Sequence, residues 1–192
     1  MRKLYTPMAL VLMIILAVTM LSPTNALSDT ENKPKLAIFP GRLPGVSANY
    51  THVIMEAVFD VLDETGVFDP VYSSYPGDGR SDPKPIPANV LSADFQEKTW
   101  RKEGFFSGYE PDAKAILNKG KELGVNAVLL YSIDILGGGY DRMAVYLFDV
   151  DKGNVYYRRI TDEIKHNVTG EISEETLRAK LRELNYTVFY KF

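Results

Sequence analysis

Three consecutive apolar segments near the C-terminal end constrain the fold more than any other feature of the sequence. They span residues 126–136, 141–150 and 155–161, and the short turn sequences 137–139 and 151–154 separate them. Strands joined by such tight turns must run antiparallel. The middle segment carries apolar residues on both alternating faces, which is typical of an interior strand. The sequence therefore predicts a three-stranded antiparallel unit in this half of the chain.

Upstream, strand and helix patterns alternate. Strands joined through helices run parallel, by right-handed crossovers. The sequence thus predicts an α/β (α+β) fold with a mixed sheet of about five strands in the order β-α-β-(insert)-α-β-β-β-α, and helices packed on the sheet. The elements besides the three strands are a strand at 35–40, a helix at 47–65 before Gly66, a strand at 67–73, a helix at 113–123 between Asp112 and Gly124, and a final helix that begins after Ser173.

The last residues of the chain show a different pattern. Tyr186, Val188, Tyr190 and Phe192 alternate toward an aromatic end, as in the closing strand of an outer-membrane barrel. A barrel needs at least eight amphipathic strands, and the sequence does not offer them. We therefore expect a final edge strand or a packed tail here.

The segment 74–111 interrupts the regular pattern as an irregular insert. It is dense in Pro and Gly at first and shows no clear period of 2 or 3.6. Long irregular segments inside a compact domain are usually functional or mobile. Aromatic side chains and Arg dominate binding hot spots, so we identify five candidate partner-binding residues. The alternative is that the aromatic side chains only fold the insert onto the sheet. These candidates are Trp100, Arg101, Phe105, Phe106 and Tyr109.

The N-terminus has the layout of a secretory signal peptide. Arg2 and Lys3 precede an apolar run at 8–21, and a short polar stretch then ends at Ala26. The run is shorter than the roughly 20 apolar residues that span a bilayer. We expect cleavage after Ala26, with an uncleaved anchor as the alternative. The predicted domains are then a signal peptide (1–26), a flexible tether (27–34) and one α/β domain (35–192) with its insert.

Composition excludes several classes of function. The chain has no Cys and two His, so disulfide scaffolds, thiolate metal sites and Cys nucleophiles are excluded, and the sequence offers little for a Ser-His-Asp triad. A net charge of −3 gives no general attraction to nucleic acid. Glu56, Asp60 and Asp63 share one face of the first helix, where a solvated surface is the ordinary interpretation. We expect no metal, no cofactor and no nucleic-acid partner.

Two stretches carry a resemblance to a known group of envelope domains. One is Leu123-Gly124-Val125 followed by an apolar strand, and the other is Asp149-Val150-Asp151-Lys152-Gly153 at the end of a later strand. With the first strand and helix, they resemble the N-terminal domain of TolB and the related domains of the curli secretion lipoprotein and of lipoprotein activators of penicillin-binding proteins. The resemblance covers roughly 35–73 and 112–161. It implies a non-enzymatic docking or assembly domain in the bacterial envelope.

These observations together favour an exported, non-enzymatic module that docks an envelope protein, located in the periplasm or secreted. One alternative is a small-ligand-binding protein or hydrolase with a site between the insert 74–111 and the sheet, for which Asp94 and Glu97 near Tyr109 are candidate carboxylates. Another is a subunit that associates through an exposed strand edge.

The signal-peptide prediction has a direct test. When the chain is expressed in a bacterial host, we expect mass spectrometry of the periplasmic fraction to show a mature N-terminus at Leu27. The variant Ala26→Arg should retain its precursor, because a small residue is required at the cleavage position, whereas Ser28→Ala should be processed normally. An unprocessed wild-type protein in the membrane fraction would instead identify an anchor.

Overall fold

The structure is a computed structural model that describes residues 32–43, 50–77, 79–80, 82–102, 109–137, 140–163 and 173–192. Residues Lys33–Phe192 form one compact unit. The elements of the described part are β1 (Lys35–Ile38), α1 (Thr51–Thr65), β2 (Asp69–Ser73), β3 (Lys84–Pro85), α2 (Ala93–Lys98), β4 (Trp100–Lys102), β5 (Tyr109–Pro111), α3 (Ala113–Leu123), β6 (Ala127–Gly137), β7 (Tyr140–Asp149), β8 (Asn154–Glu163) and α4 (Glu174–Phe189).

The main sheet has six strands in the order β3-β2-β1-β6-β7-β8. Strands β3, β2, β1 and β6 are parallel, whereas β6, β7 and β8 are antiparallel. The predicted mixed sheet is thus confirmed, and its sixth strand is β3, which the insert contributes. The two edges of the sheet differ: β3 has two residues and includes Pro85, whereas β8 has ten.

Helices pack on both faces of this sheet. On one face, Phe59 of α1 and Leu181 of α4 belong to the same buried cluster as Leu36 of β1. On the other face, Ile116 of α3 belongs to a second cluster that contains Phe148 of β7. The connection from β1 to β2 through α1 therefore lies on one face of the sheet, and the connection through α3 to β6 lies on the opposite face.

The ends of α3 follow from its capping residues. The Asp112 side chain accepts a hydrogen bond from the backbone N–H of Ala115 at 3.2 Å, which satisfies a donor that the helix leaves free. Gly124 ends the helix in the left-handed conformation, with φ of 67°. Both residues take the roles that the sequence predicts for them.

The alternative of a final edge strand at the C-terminal end is wrong, because α4 continues to Phe189. The segment does pack on the core, as the alternative of a packed tail expects, and Phe192 contacts Phe68. Leu177, Leu181, Leu184 and Val188 are buried at a helical spacing, and this stripe extends the helix through the alternating tyrosines. The hydroxyl of Tyr131 donates a hydrogen bond to the buried side chain of Asn185 at 2.7 Å. Burial in this environment raises the pKa of Tyr131 well above its usual value.

The insert also has more regular structure than the sequence indicates. It contains β3, α2 and the hairpin of β4 and β5, which pair antiparallel from Trp100 opposite Pro111 to Lys102 opposite Tyr109. The helix α2 begins with a cap, in which Ser92 accepts a hydrogen bond from the N–H of Phe95 at 3.2 Å. These elements have two to six residues, too few for a hydrophobic period to show.

No helix within the part of the chain that the structure describes is long and apolar enough to cross a membrane. The predicted signal peptide at 1–26 lies outside those residues, and its processing stays a prediction.

Gly120 lets α3 approach the sheet closely. A Cβ atom at this position would lie 2.5 Å from one methyl group of Val150 and 3.0 Å from one of Val128. We expect Gly120→Ala to lower the free energy of unfolding by about 1–3 kcal/mol from overpacking, although alanine has the higher helix propensity. Urea unfolding measures this, and Asn118→Ala on the exposed side of α3 should be neutral or stabilising. A Gly120→Ala variant as stable as the wild type would contradict the close packing.

Candidate functional site

The aromatic residues of the insert pack against the sheet on the α3 face. The rings of Phe95 and Phe39 meet edge to face, with 6.4 Å between their centroids. Trp100 is half-buried and meets Tyr146 of β7 in the same manner at 6.0 Å. Tyr146 stacks on Tyr157 of β8 at 5.9 Å, and Tyr157 is 55% exposed. Trp100 therefore packs the insert on the sheet at one end of an aromatic row that reaches solvent.

The other candidate partner-binding residues differ in their surroundings. The Arg101 side chain is 73% exposed and forms an ion pair with Asp112, the residue that caps α3. Tyr109 is half-buried beneath the guanidinium of Arg42, whose carbon lies 3.6 Å from the ring centroid. Phe105 and Phe106 lie outside the described residues. The structure thus brings Trp100, Arg101 and Tyr109 together on one hairpin.

Arg42 is a central residue of this region that the sequence analysis did not identify. Its backbone N–H donates to the carbonyl of Tyr131 at 2.8 Å, and its carbonyl accepts from the N–H of Ile133 at 2.9 Å. These bonds hold the loop after β1 against β6. The guanidinium forms an ion pair with Asp134 of β6, and the two side chains are 21% and 11% exposed. No sequence pattern indicates this ion pair, because the two residues are 92 positions apart.

A second arginine ties the hairpin to β8. Arg159 donates a hydrogen bond to Glu110 of β5 at 2.9 Å and another to the hydroxyl of Tyr146 at 3.0 Å. Burial raises the pKa of Tyr146, and the hydrogen bond from Arg159 opposes this shift. The phenol therefore stays protonated at neutral pH and serves as a structural partner for the arginine.

A cavity of about 230 Å³ lies between the insert and the loop after β1. The backbone is close-packed at its floor, since a Cβ atom on Gly41 would lie 2.7 Å from the carbonyl oxygen of Tyr131. The N–H of Gly41 donates to the hydroxyl of Tyr75 at 2.8 Å. The residues that line the cavity are Phe39, Pro40, Gly41, Arg42, Phe95, Thr99 and Trp100.

A second cavity of about 310 Å³ lies at the opposite ends of the parallel strands. It is bordered by the first residue of β1, by Pro70 to Tyr72 of β2 and by the segment Asp82 to Lys84 of the insert. Lys35 and Lys84 are both exposed there. Its walls hold no aromatic cluster comparable with that of the first cavity, so the first cavity is the better candidate for recognition of a specific ligand.

The carboxylates considered for a hydrolytic site do not converge on the first cavity. Asp94 is 71% exposed and pairs with Lys98 one turn later in α2, at 2.7 Å. The side chain of Glu97 lies outside the described part. The described residues that line the cavity include no carboxylate.

The acidic residues of α1 pair with arginines. Glu56 contacts Arg178 at 2.6 Å, and Asp60 contacts Arg182 at 3.2 Å, so both ion pairs join α1 to α4. Arg80 of the insert pairs with Asp60 and Asp63. Among the described residues, no group of three or more His, Cys, Asp or Glu could hold a metal ion. His52 is exposed, and His166 lies outside the described residues.

Comparisons with known proteins give distant structural similarities. No protein-family model and no curated protein matches the chain. Among solved structures, the PelC dodecamer from Paraburkholderia phytofirmans has a TM-score of 0.40 and 11% identity over 82% of this chain and 87% of that chain. The LpoB C-terminal domain from Escherichia coli has a TM-score of 0.35 and 14% identity over 67% of this chain and 82% of that chain. TolB from Acinetobacter baumannii has a TM-score of 0.39 and 12% identity over 83% of this chain and 29% of that chain.

TolB, which the sequence resembles in its N-terminal domain, is thus among the similar structures. At 12% identity and a TM-score of 0.39, this similarity assigns no role to the chain.

The ion pair of Arg42 and Asp134 can be tested by removal of one or both charges. We expect Arg42→Met to lower the free energy of unfolding by about 3 kcal/mol, because it leaves the largely buried Asp134 carboxylate without a cation. The double variant Arg42→Met/Asp134→Leu should recover most of this loss. Urea unfolding provides the measurement, and Arg101→Gln, in an exposed ion pair, should change stability by less than about 1 kcal/mol. Additive losses in the double variant would show that the pair is not coupled.

Proposed function

We propose that this protein is an exported, non-enzymatic binding or assembly module of the bacterial cell envelope that docks a protein partner through the hairpin of β4 and β5. The contact residues are those that the sequence analysis identifies, Trp100, Arg101, Phe105, Phe106 and Tyr109. Location in the periplasm rests on the signal-peptide pattern and on the resemblance to TolB-like envelope domains.

The observation that carries this proposal is that the hairpin is tied to the sheet through Trp100 and Glu110 while Arg101 and Lys102 of β4 stay exposed. Trp100 contacts Tyr146 and Glu110 accepts a hydrogen bond from Arg159, so both strands of the hairpin are bound to the sheet. The Arg101 side chain, by contrast, is 73% exposed, and Lys102 is also exposed. A surface held in place before binding loses less conformational entropy when a partner arrives.

The residue types on this surface suit protein recognition. Arg101 offers a planar set of donors to a carboxylate or a carbonyl, and its present ion pair with Asp112 is exposed and therefore weak. Tyr157 lies at the exposed end of the aromatic row that begins at Trp100. Tyrosine and arginine are both enriched among the residues that contribute most to binding at protein interfaces.

Site-specific photo-crosslinking in the cell envelope tests the proposal. With the crosslinker at Phe106 or Lys102, we expect one discrete protein adduct, because Lys102 ends β4 and Phe106 falls between β4 and β5 in the sequence. A crosslinker at the exposed Glu175 of α4 is the control and should give no such adduct.

A charge reversal adds a quantitative arm to this experiment. Arg101→Glu, with the crosslinker kept at Phe106, should reduce the adduct several-fold, whereas Lys121→Glu, an exposed change of the same size at the end of α3, should leave it unchanged. Equal adducts from Glu175 and from the hairpin, or an adduct that Arg101→Glu does not reduce, would contradict docking at this surface.

A further inference from the structure

The first cavity occupies a special place in the sheet. Its wall is formed by residues 39–42, which follow β1 directly. Strand β1 pairs in parallel with β2 on one side and with β6 on the other, and the connections to these two strands lie on opposite faces of the sheet. Open α/β sheets bind ligands outside the carboxyl ends of their strands at the point where the connections diverge in this way.

The walls of the cavity favour a flat apolar group. Phe39 is fully buried, and Phe95 and Trp100 close the cavity from the side of the insert. A cavity of about 150 Å³ in another protein is enough to bind benzene. The volume of about 230 Å³ therefore has room for one six-membered ring and a small substituent.

Arg42 supplies the polar contact. Its guanidinium is held at one edge by Asp134 and on one face by the ring of Tyr109. An arginine has five N–H donors, and a carboxylate bonds at most two of them side by side, so donors remain for a ligand. Because Asp134 and Tyr109 already hold the guanidinium, binding requires little further ordering of this side chain.

The same residues determine what the ligand must carry. Arginine only donates hydrogen bonds. The hydroxyl of Thr99, which also lines the cavity, donates its proton to the carbonyl of Phe95 at 2.5 Å and can then only accept. The guanidinium of Arg42, the strongest polar group in the cavity, therefore requires a ligand with an acceptor oxygen. A carboxylate forms the charge-assisted version of this hydrogen bond.

We propose that the cavity between the insert and the loop after β1 binds a small aromatic carboxylate, with its ring against Phe95 and Trp100 and its carboxylate on the guanidinium of Arg42. This site shares Trp100 and Tyr109 with the proposed docking surface, and the two differ in their polar contact, which is Arg42 for the carboxylate and Arg101 for the protein partner.

Trp100 is the only tryptophan of the chain, so intrinsic tryptophan fluorescence reports on this cavity alone. We expect benzoate to change the emission in a saturable manner. Acetate, which lacks the ring, and benzyl alcohol, which lacks the charge, should bind at least tenfold more weakly. No saturable change with benzoate, or an equal response to acetate, would overturn the proposal.

Two variants separate this site from the docking surface. Arg42→Lys keeps a cation beside Asp134 but loses the planar donors, and it should weaken benzoate binding at least tenfold. Arg101→Gln should bind benzoate like the wild type, although the docking proposal requires Arg101. Benzoate binding that Arg42→Lys does not change would overturn the assignment of Arg42.

Nuclear magnetic resonance gives a readout that does not depend on the variants. In the wild-type protein, benzoate should shift the backbone amide signals of residues 39, 41, 42 and 95–100 and leave those of α4 unchanged. Shifts that concentrate elsewhere would place the ligand outside this cavity and overturn the proposal.

Discussion

The four residues of β1 are the constraint on which the rest of the structure depends. This strand pairs with β2 and with β6, so it joins the β-α-β half of the sheet to the antiparallel half. Leu36 and Ile38 point into one hydrophobic cluster and Ala37 into the other, and all three are fully buried. The N–H of Lys35 donates to the side chain of Asn126 at 2.8 Å, and this bond fixes the register of β1 against β6. The loop that follows β1 is thereby placed over the sheet, where it forms the wall of the cavity.

Local signals in the sequence predict those elements whose ends are determined by single residues. Asp112 and Gly124 delimit α3 because a side-chain cap and a left-handed glycine act within one turn of the chain. The failures have an equally local cause. The alternating tyrosines of α4 are compatible with a strand. Only the helical spacing of the buried leucines one and two turns earlier indicates a helix.

For the candidate site, the sequence predicts residue types better than relationships between residues. The aromatic and basic character of the insert is visible in the letters, and Trp100, Arg101 and Tyr109 do meet on one hairpin. The ion pair of Arg42 with Asp134 and the bonds from Arg159 to Glu110 are not visible, because each joins segments that only the folded sheet brings together. A charged pair of this kind has no pattern along the chain, whereas an amphipathic helix has one.

The two edges of the sheet have a consequence for self-association. Among the described strands, β3 ends the sheet with two residues and a proline, which lacks the N–H that a neighbouring strand would need, whereas β8 presents ten residues. An open fibre requires two complementary edges on every molecule. A molecule with one long edge can pair with one other copy through β8, and the pair then offers only proline-blocked edges. The asymmetry of the sheet thus protects the protein against cross-β polymerisation, and the exposed Lys84 of β3 adds a charge to the short edge.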